Sequence, residues 1–142
     1  MSMFSFFSCF NNNNKKVESQ GNNFYVNKGS YDGVRIPLIK PYELIKLNGS
    51  SEWILNLVEI PGSVSRVNGV YVKGNTIFLH SGESYCNNEK VKESWVVIDA
   101  EKKVEECFYL QESFEDKNKG SIDFREPDIV YKEFNDKGKI VW

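Results

Sequence analysis

At 142 residues the chain makes one domain able to bury roughly two-thirds of the surface its unfolded form exposes, so no covalent staple is obligatory. Its 18 basic and 20 acidic residues nearly cancel to a net charge of -2, with no long block of either sign, which excludes the electrostatic footprint of a nucleic-acid binder. Aromatics supply 14% of the residues while alanine occurs only at Ala100, a usage that favours pleated, half-buried strands over helices.

In chain order, a short apolar run (Met3, Phe4, Phe6, Phe7) ends at Ser8-Cys9, and Asn11 to Asn14 with Lys15 and Lys16 follow at once. Phe6-Phe7-Ser8-Cys9 resembles the lipobox of small bacterial envelope lipoproteins, in which a small residue stands directly before the cysteine whose sulfur is acylated. The Asn/Lys segment is similar to the flexible tether that follows it. The resemblance implies that Met1 to Ser8 are a signal-peptide remnant, that Cys9 carries the lipid and that the address is the bacterial cell envelope or periplasm. The membrane would be reached only through that lipid. Eight residues without Lys or Arg precede Cys9, where an apolar signal core alone takes about 7–15 residues. The alternative is therefore a plain unstructured terminus with a chance cysteine on a cytoplasmic protein.

Residues 1–23 read as this remnant and tether, with Val17 to Asn23 unstructured, and residues 24–142 as a single β-rich domain. Phe24 to Val26 is a short strand candidate, Asn27 to Gly33 a loop, and Val34 to Ile36 a second extended piece ended by Pro37. Pro41 opens Tyr42 to Leu47, which is either a helical turn or two with proline at its first position or a strand. After the turn chemistry of Asn48 to Ser51, Glu52 to Val58 is a strand stopped by Pro61-Gly62. Val70 to Lys73 and Thr76 to His80 flank Gly74-Asn75, a two-residue connection suited to a tight hairpin. Ser81 to Glu93 is expected as a long polar loop.

Trp95 to Asp99 and Val104 to Leu110 form a second meander unit joined by a charged turn, its first strand apolar on both faces and so central. Glu112 to Gly120 is expected as a short helix around Phe114, and Ser121 to Asp128 as loop or edge. A third hairpin is expected to pair Ile129 to Phe134 with Lys139 to Trp142, the last tryptophan serving as an apolar plug. The fold class that follows is mainly β: an antiparallel meander of hairpins curled into a small barrel or sandwich, with at most one or two short helices.

Chemistry is sparse in this sequence. With Cys9 assigned to lipid, Cys86 and Cys107 remain either as a disulfide pair, closing a loop worth roughly 3 kcal/mol in the chain-entropy model, or as a free loop thiol and a small apolar strand residue. His80 is the one histidine. Ser81, Glu83 and Ser84 follow it, but sequence neighbours seldom form a triad, and GxSxG is missing. Asp123, Glu126 and Asp128 lack calcium-loop spacing, Glu112, Glu115 and Asp116 read as a solvated helix face, and no cofactor or metal is expected. The expected function is a small non-enzymatic binding or inhibitory protein, such as an immunity protein that neutralises a toxin domain by binding it. The partner would be a protein and not nucleic acid, engaged through the loop bearing Glu83 and Tyr85. The alternatives are a β-barrel small-ligand carrier, with Trp53, Phe78 and Trp95 around a cavity, and a hydrolase with His80 at a pocket mouth.

Overall fold

The computed structural model describes the backbone of residues 18–20 and residues 33–56 and 64–142 in full. The expectations for Cys9, for the lipobox and tether, for Phe24 to Val26 and for Leu57 to Gly62 fall outside the described residues. In chain order the elements are β1 (Glu18–Gln20), β2 (Gly33–Pro37), β3 (Glu43–Leu47), β4 (Ile54–Asn56), β5 (Val67–Lys73), β6 (Thr76–Ser81), β7 (Ser84–Cys86), β8 (Glu89–Val91), β9 (Ser94–Asp99), β10 (Val104–Phe108), α1 (Gln111–Asn118), α2 (Pro127–Lys137) and β11 (Lys139–Val141).

The fold is mainly β and antiparallel throughout. A four-stranded sheet runs β10-β9-β6-β5, a three-stranded sheet runs β2-β3-β4, and two small ladders pair β7 with β8 and β1 with β11. Among the described residues the sheets do not close into a barrel. The segment leaving β4 links the two larger sheets, Val64 O accepting from Leu55 N at 2.8 Å and Trp53 O accepting from Val67 N at 2.9 Å. One apolar cluster then draws on both: Ile36, Leu44 and Leu55 from the smaller sheet, Val70, Ile77, Leu79, Val96 and Ile98 from the larger, with Val130 of α2 and Ile140 of β11.

Because side chains alternate across a strand, β6 and β9 send Phe78 and Trp95 to the opposite face. There Phe114 of α1 closes a second cluster, joined by Tyr71, Phe108 and Phe124. The central pair is thus covered on both sides, as its doubly apolar pattern requires.

The β5–β6 hairpin turns at Gly74-Asn75 with Gly74 at φ 62, the position where a II′ turn needs a left-handed residue. The β9–β10 connection is held by Asp99, whose Oδ1 accepts from the N–H of Glu101 and of Lys102, both at 3.0 Å. Tyr42 to Leu47, open between helix and strand, contains β3. The short helix around Phe114 is α1.

Three expectations change. Ile129 to Phe134 is not a hairpin strand but lies within α2. Pro127 sits at the helix start, Pro127, Val130, Tyr131 and Phe134 fall at the i, i+3, i+4, i+7 spacing of one helical face, and Gly138 at φ 77 ends it with its N–H on Phe134 O. β11 does follow, but its partner is β1, in the register Glu18↔Val141 to Gln20↔Lys139, where an unstructured run was expected. The backbone groups of β11 need a partner, and the polar Glu-Ser-Gln carries no alternation to announce that it supplies one. Finally, the polar loop after Ser81 contains the β7–β8 hairpin, turned by Asn87 and Asn88 at φ 53 and 71, the paired positive angles of a I′ turn. Trp142 is half-buried against the core, with its ring 6.4 Å from Tyr71 edge-on and the Arg125 guanidinium 5.7 Å from its centre.

Candidate functional site

Two features converge at one end of the larger sheet, the β7–β8 hairpin and a polar cleft beside it. Cys86, buried at the end of β7, forms a disulfide with Cys107 of β10 across a Cα separation of 5.7 Å. Asn87 in the turn donates from Nδ2 to the Cys107 carbonyl at 3.4 Å. Because β7 alternates, burying Cys86 sends Tyr85 outward, and it is 70% exposed. Glu83, at the base of the hairpin, lies 3.7 Å from Lys90 of β8.

The cleft, about 260 Å³, is lined by Ser51, Glu52, Arg66, Asn68, Gly82 and Glu83, with Trp53 below them. Arg66 stands at φ 53, left-handed for a non-glycine residue, and its carbonyl is held there by the Gly82 N–H at 2.9 Å. Its guanidinium is 3.5 Å from Glu52. Trp53 is fixed from beneath: its indole N–H donates to Asp128 Oδ1 at 2.9 Å, Lys46 donates to the same oxygen at 3.1 Å, and the Lys46 ammonium lies 5.1 Å from the Trp53 ring centre. The Trp53 hydrogen bond, then that of Lys46, hold the Asp128 carboxyl below the usual carboxylate range. Asp128 is therefore committed to Trp53 and Lys46, and among the described residues no three metal-ligating side chains gather, around Asp123 and Glu126 or elsewhere.

His80 does not assemble with its sequence neighbours. Its ring stacks on Trp95, centroids 5.0 Å apart at 18°, and Nε2 is 3.4 Å from Glu93 Oε2. Ser81, the next residue of β6, points to the opposite face, where Oγ donates to the Ser65 carbonyl and stands 3.4 Å from Ser84 Oγ. A histidine and serine on opposite faces of one strand share no substrate, so the pair offers no nucleophile and base. Nor do Trp53, Phe78 and Trp95 line a common cavity: Trp53 belongs to the inter-sheet cluster, whereas Phe78 and Trp95 pack on Phe114.

The structure thus places Glu83 and Tyr85 at this hairpin, joins Cys86 to Cys107, the pairing that the sequence left open, and leaves His80 outside. The cleft residues Glu52, Arg66 and Asn68 were missed. They come from separate segments that only the sheet arrangement brings together. The Asn87-Asn88 pair, by contrast, was a readable turn signal.

Edge strand β10 adds an electrostatic feature. Burial pushes the Glu105 carboxyl above the usual carboxylate range. A raised folded-state pKa means that the group's contribution is fully present below its unfolded pKa and is lost as pH rises through the folded one. Glu105→Gln should therefore stabilise at pH 7, by less than about 1 kcal/mol, and the gain should vanish below about pH 4. Urea titrations at the two pH values check the sign.

A scan against family models and searches of curated proteins and of solved structures returned no match for the chain. No helix among the described residues is long and apolar enough to cross a membrane.

Proposed function

We propose that this protein is a small non-enzymatic binding module that engages a protein partner through the β7–β8 hairpin and the adjoining cleft. The observation that carries the reading is the disulfide-anchored hairpin with Tyr85 projecting from it. Interfaces concentrate their energy in a few aromatic anchors, and fixing such an anchor beforehand lowers the entropy lost on binding. Glu83 and the mixed charges of Glu52 and Arg66 supply the polar surround that such an anchor needs to exclude water. Occlusion of a toxin domain, as immunity proteins practise it, is the form of inhibition this arrangement suits: a rigid surface without assembled reactive groups. The disulfide is compatible with an oxidising compartment, and together with the lipobox-like residues it supports an envelope address with Cys9 as the lipid-bearing residue.

Copurification from native cells, read by membrane fractionation and mass spectrometry, tests address and partner together. The wild-type chain should fractionate with membranes carrying an acyl group on Cys9, and Cys9→Ala should release it. A protein partner should be retained at one-to-one stoichiometry, and Tyr85→Ala should weaken it at least about tenfold, the scale of an interface hot spot. Retention indifferent to both Tyr85→Ala and Glu83→Lys would remove the hairpin from the binding surface. An unacylated chain in the cytosol would end the envelope reading.

A further inference from the structure

The regulation of that same surface follows from how the hairpin is attached, and the inference rests on the binding reading only for its biological use. β7 and β8 pair with each other and with no other described strand, and each has three residues. A lone two-stranded hairpin of this size is marginal in water. Apart from the chain itself, the described polar ties of β7 and β8 to other segments are the long Asn87 to Cys107 hydrogen bond, the 3.4 Å approach of Ser84 to Ser81 and the exposed Lys90 to Glu83 ion pair at the hairpin's base. The disulfide is the one covalent tie, and Cys86 belongs to neither apolar cluster.

The anchor point is equally telling. β10 is the outermost strand of its sheet, and its Cys107 carbonyl, taken by Asn87, faces away from β9. Antiparallel alternation turns the backbone of Glu105 outward as well. The hairpin therefore lies against the open edge of the sheet, the place where unpaired backbone groups otherwise recruit foreign strands.

We propose that the Cys86–Cys107 disulfide is a redox latch: oxidised, it holds the β7–β8 hairpin against the β10 edge and presents Tyr85; reduced, it lets the hairpin leave while both apolar clusters stay packed. The reductant is a dithiol. Its thiolate attacks the half-buried Cys107 sulfur, the protein S–S bond breaks, and Cys86 departs as thiolate and takes a proton. The second reductant thiol then displaces Cys107 from the mixed disulfide. Two electrons and two protons end on the two cysteines, and the reductant ends as its own disulfide.

Amide hydrogen exchange on the whole chain, before and after dithiothreitol, tests this without any partner. Protection should fall at least about tenfold at the paired amides of β7 and β8, while the interiors of β5, β6 and β9 keep theirs. The Cys86→Ser/Cys107→Ser double variant should show the open pattern without reductant. Asn87→Gly, which keeps the turn's positive φ but removes the side-chain donor, should stay protected when oxidised. Unchanged hairpin protection on reduction overturns the latch, as does loss spreading through β6 and β9, and so does an open hairpin in oxidised Asn87→Gly. A latch that opens with no partner ever retained defeats only the binding reading; a retained partner with an unresponsive hairpin defeats only the latch.

Discussion

Phe114→Ala should cost about 3–5 kcal/mol, the range for emptying a buried phenylalanine site, and lower the melting temperature by on the order of 10 °C. The side chain is 1% exposed and is the one buried residue of α1. It meets Phe78 and Phe108 edge-on, at centroid distances of 6.4 and 6.0 Å, and stacks with Trp95 and Phe124. Helix α1 has no side-chain hydrogen bond at its N-cap, and eight residues are too few to hold a helix by local propensity alone. Truncation should therefore do more than leave a cavity: it should undock α1 and bare the Phe78–Trp95 face of the sheet. Urea denaturation followed by far-UV and near-UV circular dichroism measures both effects. Phe114→Leu, which retains most of the volume, should lose less than half as much. A loss under about 1 kcal/mol for the alanine variant would mean that the second cluster contributes little.

Glu133→Ala is expected to cost about 2–3 kcal/mol at neutral pH, on the scale of charge-assisted hydrogen bonds with a partner left unpaired. Glu133 joins α2 to two other segments. One carboxylate oxygen accepts from the Val141 N–H at 2.9 Å and the other from Arg125 at 2.5 Å. Arg125 is itself clamped to β5, exchanging both backbone hydrogen bonds with Val70 at 2.9 and 3.0 Å, and it donates to the Val141 carbonyl at 3.2 Å. The Val141 N–H first, and then the Arg125 guanidinium, hold the Glu133 carboxyl below the usual carboxylate range. With the folded-state pKa depressed, the stability it supplies is present above its unfolded pKa and is lost as pH falls through the folded one. The gap between wild type and Glu133→Gln should consequently be full at pH 7 and close in acid. Parallel denaturation curves from pH 7 to pH 3 measure it, and a gap independent of pH would remove the ionised carboxylate from the account. Asp128 shifts in the same direction, but its side chain is 71% exposed, so solvent screening leaves it a minor share.

Much of the sheet was legible because strand and turn signals agreed locally. Gly74-Asn75 between two β-rich runs could hardly be anything but a hairpin, and the doubly apolar Trp95 to Asp99 had to be central. The misreadings arose where two signals competed. Ile129-Val130-Tyr131 has β-branched and aromatic character, but Pro127 and Gly138 bracket it, and the helical spacing of Pro127, Val130, Tyr131 and Phe134 outweighs propensity once a core is there to receive that face. The β7–β8 hairpin was invisible to hydrophobic periodicity because its strands are three polar-rich residues each. Of the site, Glu83, Tyr85 and the two cysteines could be named from the chain alone. The cleft could not, since Ser51, Arg66 and Gly82 are neighbours only through tertiary packing.

The β1–β11 ladder brings Glu18 beside Val141, across nearly the whole described length of the chain. Closing a loop of that size costs about 4 kcal/mol in chain entropy, more than a three-residue ladder recovers unaided. Its formation is expected to follow the packing of the two larger sheets, which draws the two ends together first. β1 is synthesised early and completes its pairing last, and a pull on the chain ahead of Glu18 should strip this ladder first, leaving the two-sided sheet and its hairpin in place.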